Sequence, residues 1–279
     1  MNRPDLDAYL RRIAWHGALE ASCDALAAIC AAHTAAIPFE NLDPLLGVPV
    51  ALDTESLMRK LVHGGRGGYC YEHNLLLGAT LREMGFEVRD LAARVRWGVP
   101  TEQTRPRTHM LLLVSVSALR CIVDAGFGGL TLTGALRLDE RGAQRTPHGL
   151  YRLLHAEDEY ELQAQLGGGW ESIYTFDLQP QRLPDYELTS WTLCNRPGSI
   201  FRNSLMVARV VRDQRCTLLN NALTERAPDG AAATRICTHA DDLRSVLADT
   251  FGIDLTMLRG LDAMLASLVH ASPDALKPP

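Results

Sequence analysis

One run in the 279-residue chain concentrates residues able to do chemistry: RGGYCYEHN at positions 66–74. Gly67 and Gly68 precede Cys70, and an apolar helical run starts behind it at Leu75. Glycines let the backbone turn sharply with no Cβ in the way. The spacing therefore predicts a turn that delivers Cys70 at or near the first residue of a helix. There the unpaired N–H groups and the positive end of the helix dipole favour a thiolate, and Arg66 supplies a nearby cation. A cysteine so placed is a candidate nucleophile. The other six, Cys23, Cys30, Cys121, Cys194, Cys216 and Cys237, lie in apolar or alternating runs and read as small core residues.

A thiol nucleophile needs a base, and the base needs an orienting group. Two apolar runs, 109–114 and 119–123, flank a short turn at 115–118. In that register residue 109 faces residue 124, so His109 and Asp124 stand side by side on one face of an antiparallel hairpin. A one-residue slip would part them. His109 is then the base that takes the Cys70 proton, and Asp124 holds the ring tautomer and stabilises its charge. His73 makes a C-x-x-H pair with Cys70, but no second pair stands at zinc-finger spacing, and no metal is expected. His16, His33, His63, His148, His155, His239 and His270 show no partner pattern. Glu72 suits the first turn of a helix through the dipole, and a role in placing Arg66 or the loops is equally open.

The elements that must position these groups follow from periodicity. Leu6, Tyr9, Leu10 and Ile13, then Leu19, Cys23, Leu26 and Cys30, mark two amphipathic helices. Prolines 38 and 44 keep the stretch between them out of helix. Asp53 caps a third helix, ended by Gly64 and Gly65, and the helix behind Cys70 stops at Gly85. Residues 1–85 thus read as a helical bundle. Leu91, Ala93, Val95 and Trp97 alternate as a half-buried strand, and residues 98–107 read as an exposed loop. With the runs up to 178, residues 86 to about 183 are mostly β, a barrel or sandwich. A short helix at 185–194, a hairpin at 205–219, a helix opened by a Thr238–Asp241 capping box and a last helical segment at about 254–269 complete the chain. The proline-ended tail is expected to be mobile.

Composition narrows the function. The chain is 47% hydrophobic and 22% charged, with net charge −5, enough to bury a core. It has no basic tract for nucleic acid, no apolar run long enough for a membrane span, and an N-terminus unlike a signal peptide. Seven cysteines with no such signal suggest free thiols in a reducing cytoplasm.

The motifs together resemble the arylamine N-acetyltransferases. The run at 66–74 matches that family's signature. IPFENL at 37–42, THM at 108–110, VDAGFG at 123–128, YTF at 174–176 and PGSIF at 197–201 resemble its other landmarks, in the family's order. The likeness spans about residues 1–210. It implies an α+β chain of three parts: a helical bundle (1–85) with the nucleophile, a β-barrel (86–200) with His and Asp, and a C-terminal α/β lid (201–279), in a papain-like triad arrangement. It also implies transfer of the acetyl group of acetyl-CoA to arylamines, arylhydrazines and N-hydroxyarylamines through an S-acetyl-cysteine. By position Cys70, His109 and Asp124 are the triad. Gly126, Phe127, Gly128, Ser199 and Phe201 border the cleft for CoA, and Phe39, Tyr71 and Phe127 contact the amine. The run WTLCN at 191–195 departs from the more polar stretch often found in the family. The same Cys–His–Asp order also suits a papain- or transglutaminase-like enzyme, or an amide-forming acyltransferase acting on a larger acyl substrate.

Overall fold

The structure, a computed structural model, describes residues 1–100, 102–228 and 230–270. Several of its helices start where short polar side chains accept the first free N–H groups. Asn2 and Asp5 form a reciprocal capping box on Arg3–Arg12. Ser22 caps Cys23–Ala36, and Asp53 caps Thr54–Leu57, which widens into a π-helical turn over Met58–His63. Cys70–Glu83 follows, with Cys70 as its first residue. Tyr9, Leu26, Ile29, Leu76 and Leu81 from these helices are fully buried in one apolar cluster.

The stretch between prolines 38 and 44 is more structured than expected. Phe39–Glu40 is a short strand and Leu42–Leu46 a short helix. Pro44 sits in that helix's first turn, where a missing N–H breaks no intrahelical bond.

Eight antiparallel strands of the described residues form a barrel-like sheet. Their spatial order is Leu136–Arg137, Leu119–Val123, Arg107–Val116, Glu87–Val95, Gly169–Phe176, Glu159–Leu166, Gly149–Ala156 and Gln144–Thr146. The two edges meet through a side chain: Gln144 Oε1 accepts from Arg137 N at 2.7 Å, and its Nε2 donates to Arg137 O at 2.9 Å. Trp97, expected on a strand, lies just past Val95 and is exposed.

The strand Arg107–Val116 is buried on both faces, and its period of two divides it between two cores. Met110, Leu112 and Val114 face the helices, whereas Leu111 and Leu113 face the barrel interior. His109 shares parity with the barrel-facing set. On the next strand Cys121 and Val123 face the helices and Ile122 faces the barrel, which gives Asp124 the barrel side as well. The hairpin turn lies one residue later than the sequence suggested. Val116 pairs with Leu119 and Leu112 with Val123, so the register places residue 126, not 124, opposite His109. The error is two residues, which preserves the face, and Asp124 becomes the diagonal neighbour.

A second sheet runs Phe39–Glu40, Met206–Val211, Gln214–Leu219, Ala222–Arg226 and Ala232–Ile236. The expected hairpin is thus part of a five-stranded sheet that borrows a strand from the N-terminal part of the chain. Its core also takes in the helices Ala240–Ser245 and Leu261–His270. Two boundaries differ from expectation. His239, not Thr238, is the N-cap of the former helix and makes no side-chain cap bond. The last helix begins at Leu261 because Asp254 folds back in a turn, accepting from Thr256 N. The helix expected at 185–194 spans Leu183–Asn195. The tail expected to be mobile lies outside the described residues. No helix among the described residues is long and apolar enough to cross a membrane.

Candidate active site

Cys70 opens its helix with its side chain 4% exposed, and its sulfur lies 3.9 Å from the Thr108 carbonyl oxygen. His109 follows Thr108 and shares the burial, at 3%. Its Nε2 stands 2.6 Å from Asp124 Oδ2. Burial opposes a charge on this imidazole, but the Asp124 carboxylate and the adjacent Cys70 sulfur outweigh it and lift its pKa to about 10. Burial likewise opposes charge on Asp124, yet His109, Asn74 and the Gly126 N–H together hold its carboxyl below the usual carboxylate range. The structure thus brings Cys70, His109 and Asp124 together, with a proton firmly held between imidazole and carboxylate.

Asn74 locks the arrangement and was not assigned a role from sequence. It sits four residues after Cys70, hence on the same helix face. Its Nδ2 donates to Asp124 Oδ1 at 2.9 Å and to Met110 O at 2.7 Å, while its Oδ1 accepts from Ala125 N at 3.0 Å. One side chain therefore ties the Cys70 helix to both sides of the hairpin. The i, i+4 spacing was the available signal. Tyr174, fully buried, packs its ring 5.1 Å from that of His109.

The loop after Asp124 crosses Cys70 closely. Gly126 N donates to Asp124 Oδ1 at 2.9 Å, and a Cβ at Gly126 would lie 2.6 Å from Cys70 Cα. Only glycine fits there. Phe127 stands edge-on to His109 at 5.1 Å, and Gly128 lies against the Phe39 ring. Phe39, Ala125, Gly128, Gly129 and Arg215 line a small crevice that reaches the residue after Asp124 but is not lined by Cys70, His109 or Asp124 themselves. Ser199 caps the short helix Ile200–Asn203, and Phe201 packs on Tyr69, the residue before Cys70. Tyr71 is 1% exposed, its ring held between Tyr69 and Tyr186, so its ring is committed to the core. In the WTLCN run Trp191 is exposed, and Cys194 is buried against the Tyr69 hydroxyl at 3.4 Å.

Two reasons given for the motif change. Gly67 serves close approach instead of a sharp turn: a Cβ there would meet Pro38 O at 1.9 Å. Arg66 is committed to Glu40 at 2.7 Å and Asp43 at 2.9 Å, so its charge serves those carboxylates and not the Cys70 sulfur. Lys60 bridges Asp43 at 2.6 Å and Glu72 at 2.7 Å, and Glu72 Oε2 accepts from Tyr69 N at 3.1 Å. Glu72 is thus a cap and an ion-pair partner, linked through Lys60 to the Asp43 carboxylate that also holds Arg66.

Comparisons with known proteins identify the family and the fold. A family model described as N-acetyltransferase matches residues 22–259, which carries the likeness well past residue 210. The chain is 44% identical over 262 residues to an arylamine N-acetyltransferase of Mycolicibacterium smegmatis, covering 92% of this chain and 95% of that protein. It is 41% identical over 251 residues to one of Escherichia coli strain K12, covering 90% and 89%. The solved structure of the Mycobacterium marinum arylamine N-acetyltransferase in complex with CoA superposes with a TM-score of 0.90 at 39% identity, over 95% of this chain and 98% of that one. That architecture, and the matches along nearly the whole chain, leave no room for the papain- or transglutaminase-like reading: the chain belongs to the arylamine N-acetyltransferase family.

Proposed function

We propose that this protein transfers the acetyl group of acetyl-CoA to arylamines and arylhydrazines, and to the oxygen of N-hydroxyarylamines, with Cys70, His109 and Asp124 as the catalytic triad. The observation that carries the reading is the buried His109–Asp124 pair at 2.6 Å beside a cysteine on a helix N-terminus. In the first half-reaction the Cys70 proton resides on His109, and the thiolate attacks the acetyl carbonyl carbon. The carbon–sulfur bond to CoA breaks, and CoA leaves with the proton from His109. In the second, the amine attacks the S-acetyl carbonyl, His109 takes the amine proton, and the Cys70 sulfur departs. We assign the developing oxyanion to the first-turn N–H groups at Cys70 and Tyr71, which the helix itself cannot satisfy. Gly126, Phe127, Gly128, Ser199 and Phe201 border the CoA side of the cleft in this reading, and Phe39 and Phe127 offer apolar faces to an aryl ring. The division into a nucleophile-bearing helical part (1–85), a barrel (86–200) and a lid (201–279) belongs to the same proposal. So does a cytoplasmic location, which seven unpaired cysteines favour.

Intact mass after mixing with acetyl-CoA alone tests the reading. One acetyl group should appear on Cys70, be discharged by aniline, and be absent from Cys70→Ala. A folded protein that takes up no acetyl group would overturn it.

A further inference from the structure

Behind the nucleophile lies a chain of buried polar groups that the proposed mechanism does not use. The Tyr9 hydroxyl is 2.7 Å from His33 Nδ1, His33 Nε2 is 2.8 Å from His73 Nδ1, and His73 Nε2 is 3.1 Å from the Pro38 carbonyl oxygen. All three side chains are 0% exposed. Burial lowers the pKa of both imidazoles, that of His73 to about 4, so both rings are neutral at neutral pH.

Every proton in the chain can then be placed. A carbonyl oxygen only accepts, so His73 carries its hydrogen on Nε2 and presents a bare Nδ1. His33 must donate to it from Nε2, which leaves His33 Nδ1 bare, and the Tyr9 hydroxyl donates there. All the bonds run in one direction and end on Pro38 O. The next residue is Phe39, whose ring stacks on His73 at 6.5 Å between centroids and 14° between planes. The Phe39 ring also lies against Gly128, and both line the crevice that reaches Ala125, the residue after Asp124. His73 itself is one turn past Cys70 on the same helix.

We infer that the Tyr9–His33–His73 chain sets the distance between the nucleophile helix and the Phe39 wall, which makes His73 a positioning residue for the aromatic acceptor. This rests on the acetyl-transfer reading above. The chain grips Pro38 O and the Phe39 ring and touches neither the Cys70 sulfur nor His109. Its loss should therefore weaken acceptor recognition more than formation of the acetyl-enzyme.

The test separates the two half-reactions in wild type, Tyr9→Phe, His73→Gln and His73→Met. Acetylation of Cys70 by acetyl-CoA is followed by mass in a single turnover, and discharge by aniline is followed as a function of aniline concentration. Acetylation rates should stay within about threefold of wild type in every variant. The aniline concentration for half-maximal discharge should rise about tenfold in His73→Met. It should rise less in His73→Gln, whose amide can still donate to Pro38 O, and about threefold in Tyr9→Phe. A half-maximal concentration unchanged in folded His73→Met overturns the inference. So does a parallel fall of both half-reactions, with no rescue by Gln. Should His73→Met not fold, Tyr9→Phe decides, and an unchanged aniline dependence there is equally fatal. Absence of acetylation in wild type would instead defeat the acetyl-transfer reading.

Discussion

Replacing Gly126 with alanine probes the contact on which the proposed triad depends. The added Cβ would sit 2.6 Å from Cys70 Cα, 2.9 Å from Cys70 O and 3.1 Å from Asn74 Nδ2. Ordinary contact begins near 3.4 Å, so loop and helix must part by roughly 0.8 Å, and two of the three obstacles are backbone. That displacement carries Asn74 Nδ2 on the helix, now 2.9 Å from Asp124 Oδ1 on the loop side, out of hydrogen-bond reach. A hydrogen bond to a charged group contributes about 1.5–3 kcal/mol, and each 1.4 kcal/mol of lost transition-state stabilisation is tenfold in rate. Gly126→Ala should therefore lose about 10- to 100-fold in kcat/KM for aniline. Gly198→Ala is the control, because nothing lies within 4 Å of its Cβ position. The assay is single-turnover acetylation of Cys70 together with steady-state turnover, on protein whose unfolding transition is checked. A folded Gly126→Ala enzyme within threefold of wild type would refute the claim that this close approach holds Asp124 in place.

Two further outcomes are expected. Asp124→Asn keeps the shape but removes the charge that holds the His109 proton, so turnover should fall by up to about 10⁴-fold; a folded variant within tenfold of wild type would mean that Asp124 does not orient the base. Burial first, then the charges of Glu40 and Asp43, raises the Glu72 carboxyl from 4.5 to about 7 against the pull of Lys60. A raised folded-state pKa gives stability that is complete below the unfolded value of 4.5 and is lost as pH climbs through 7, here about 3 kcal/mol. Chemical denaturation at pH 5 and pH 8 should show that this loss is absent from Glu72→Gln. Equal pH slopes in the two proteins would show that Glu72 stays ionised throughout.

What could be read from the chain was whatever local spacing controls. Cys70 at a helix start follows from two glycines and an apolar run. His109 and Asp124 follow from the period of two in their strands, and survive an error of two in the register because parity alone decides the face. The helix start capped by Asp53 was equally legible, whereas Leu19, expected in the second helix, lies exposed ahead of its Ser22 cap. What stayed hidden depends on distant chain segments. His33 and His73 are 40 residues apart, and nothing in either neighbourhood announces the other. The strand Phe39–Glu40 is too short to show a period, and its partners lie near residue 208. The role of Arg66 was misjudged for the same reason: sequence proximity to Cys70 suggested an electrostatic partner, while its true partners, Glu40 and Asp43, are more than twenty residues away.

Those distant contacts converge on one segment, residues 38–43. Pro38 O receives His73 Nε2 and, at 3.3 Å, Gly68 N. Glu40 and Asp43 receive Arg66, and Asp43 also receives Lys60. Asn41 donates to Phe201 O and Ser204 O and accepts from Met206 N, while Phe39–Glu40 extends the C-terminal sheet. Three buried carboxylates against two cations is a costly way to gain stability, since desolvating such charges offsets most of their attraction. What the cluster supplies is geometry. Each ion pair fixes a distance between the segment and the turn before Cys70, and apolar packing, which tolerates sliding, would not. The signature run thus has two physical parts. Cys70 and Asn74 face the hairpin and its His–Asp pair. Arg66, Gly67, Glu72 and His73 are matched to the 38–43 segment directly or through Lys60, and so set where the helix end stands relative to the sheet that closes the other side of the crevice.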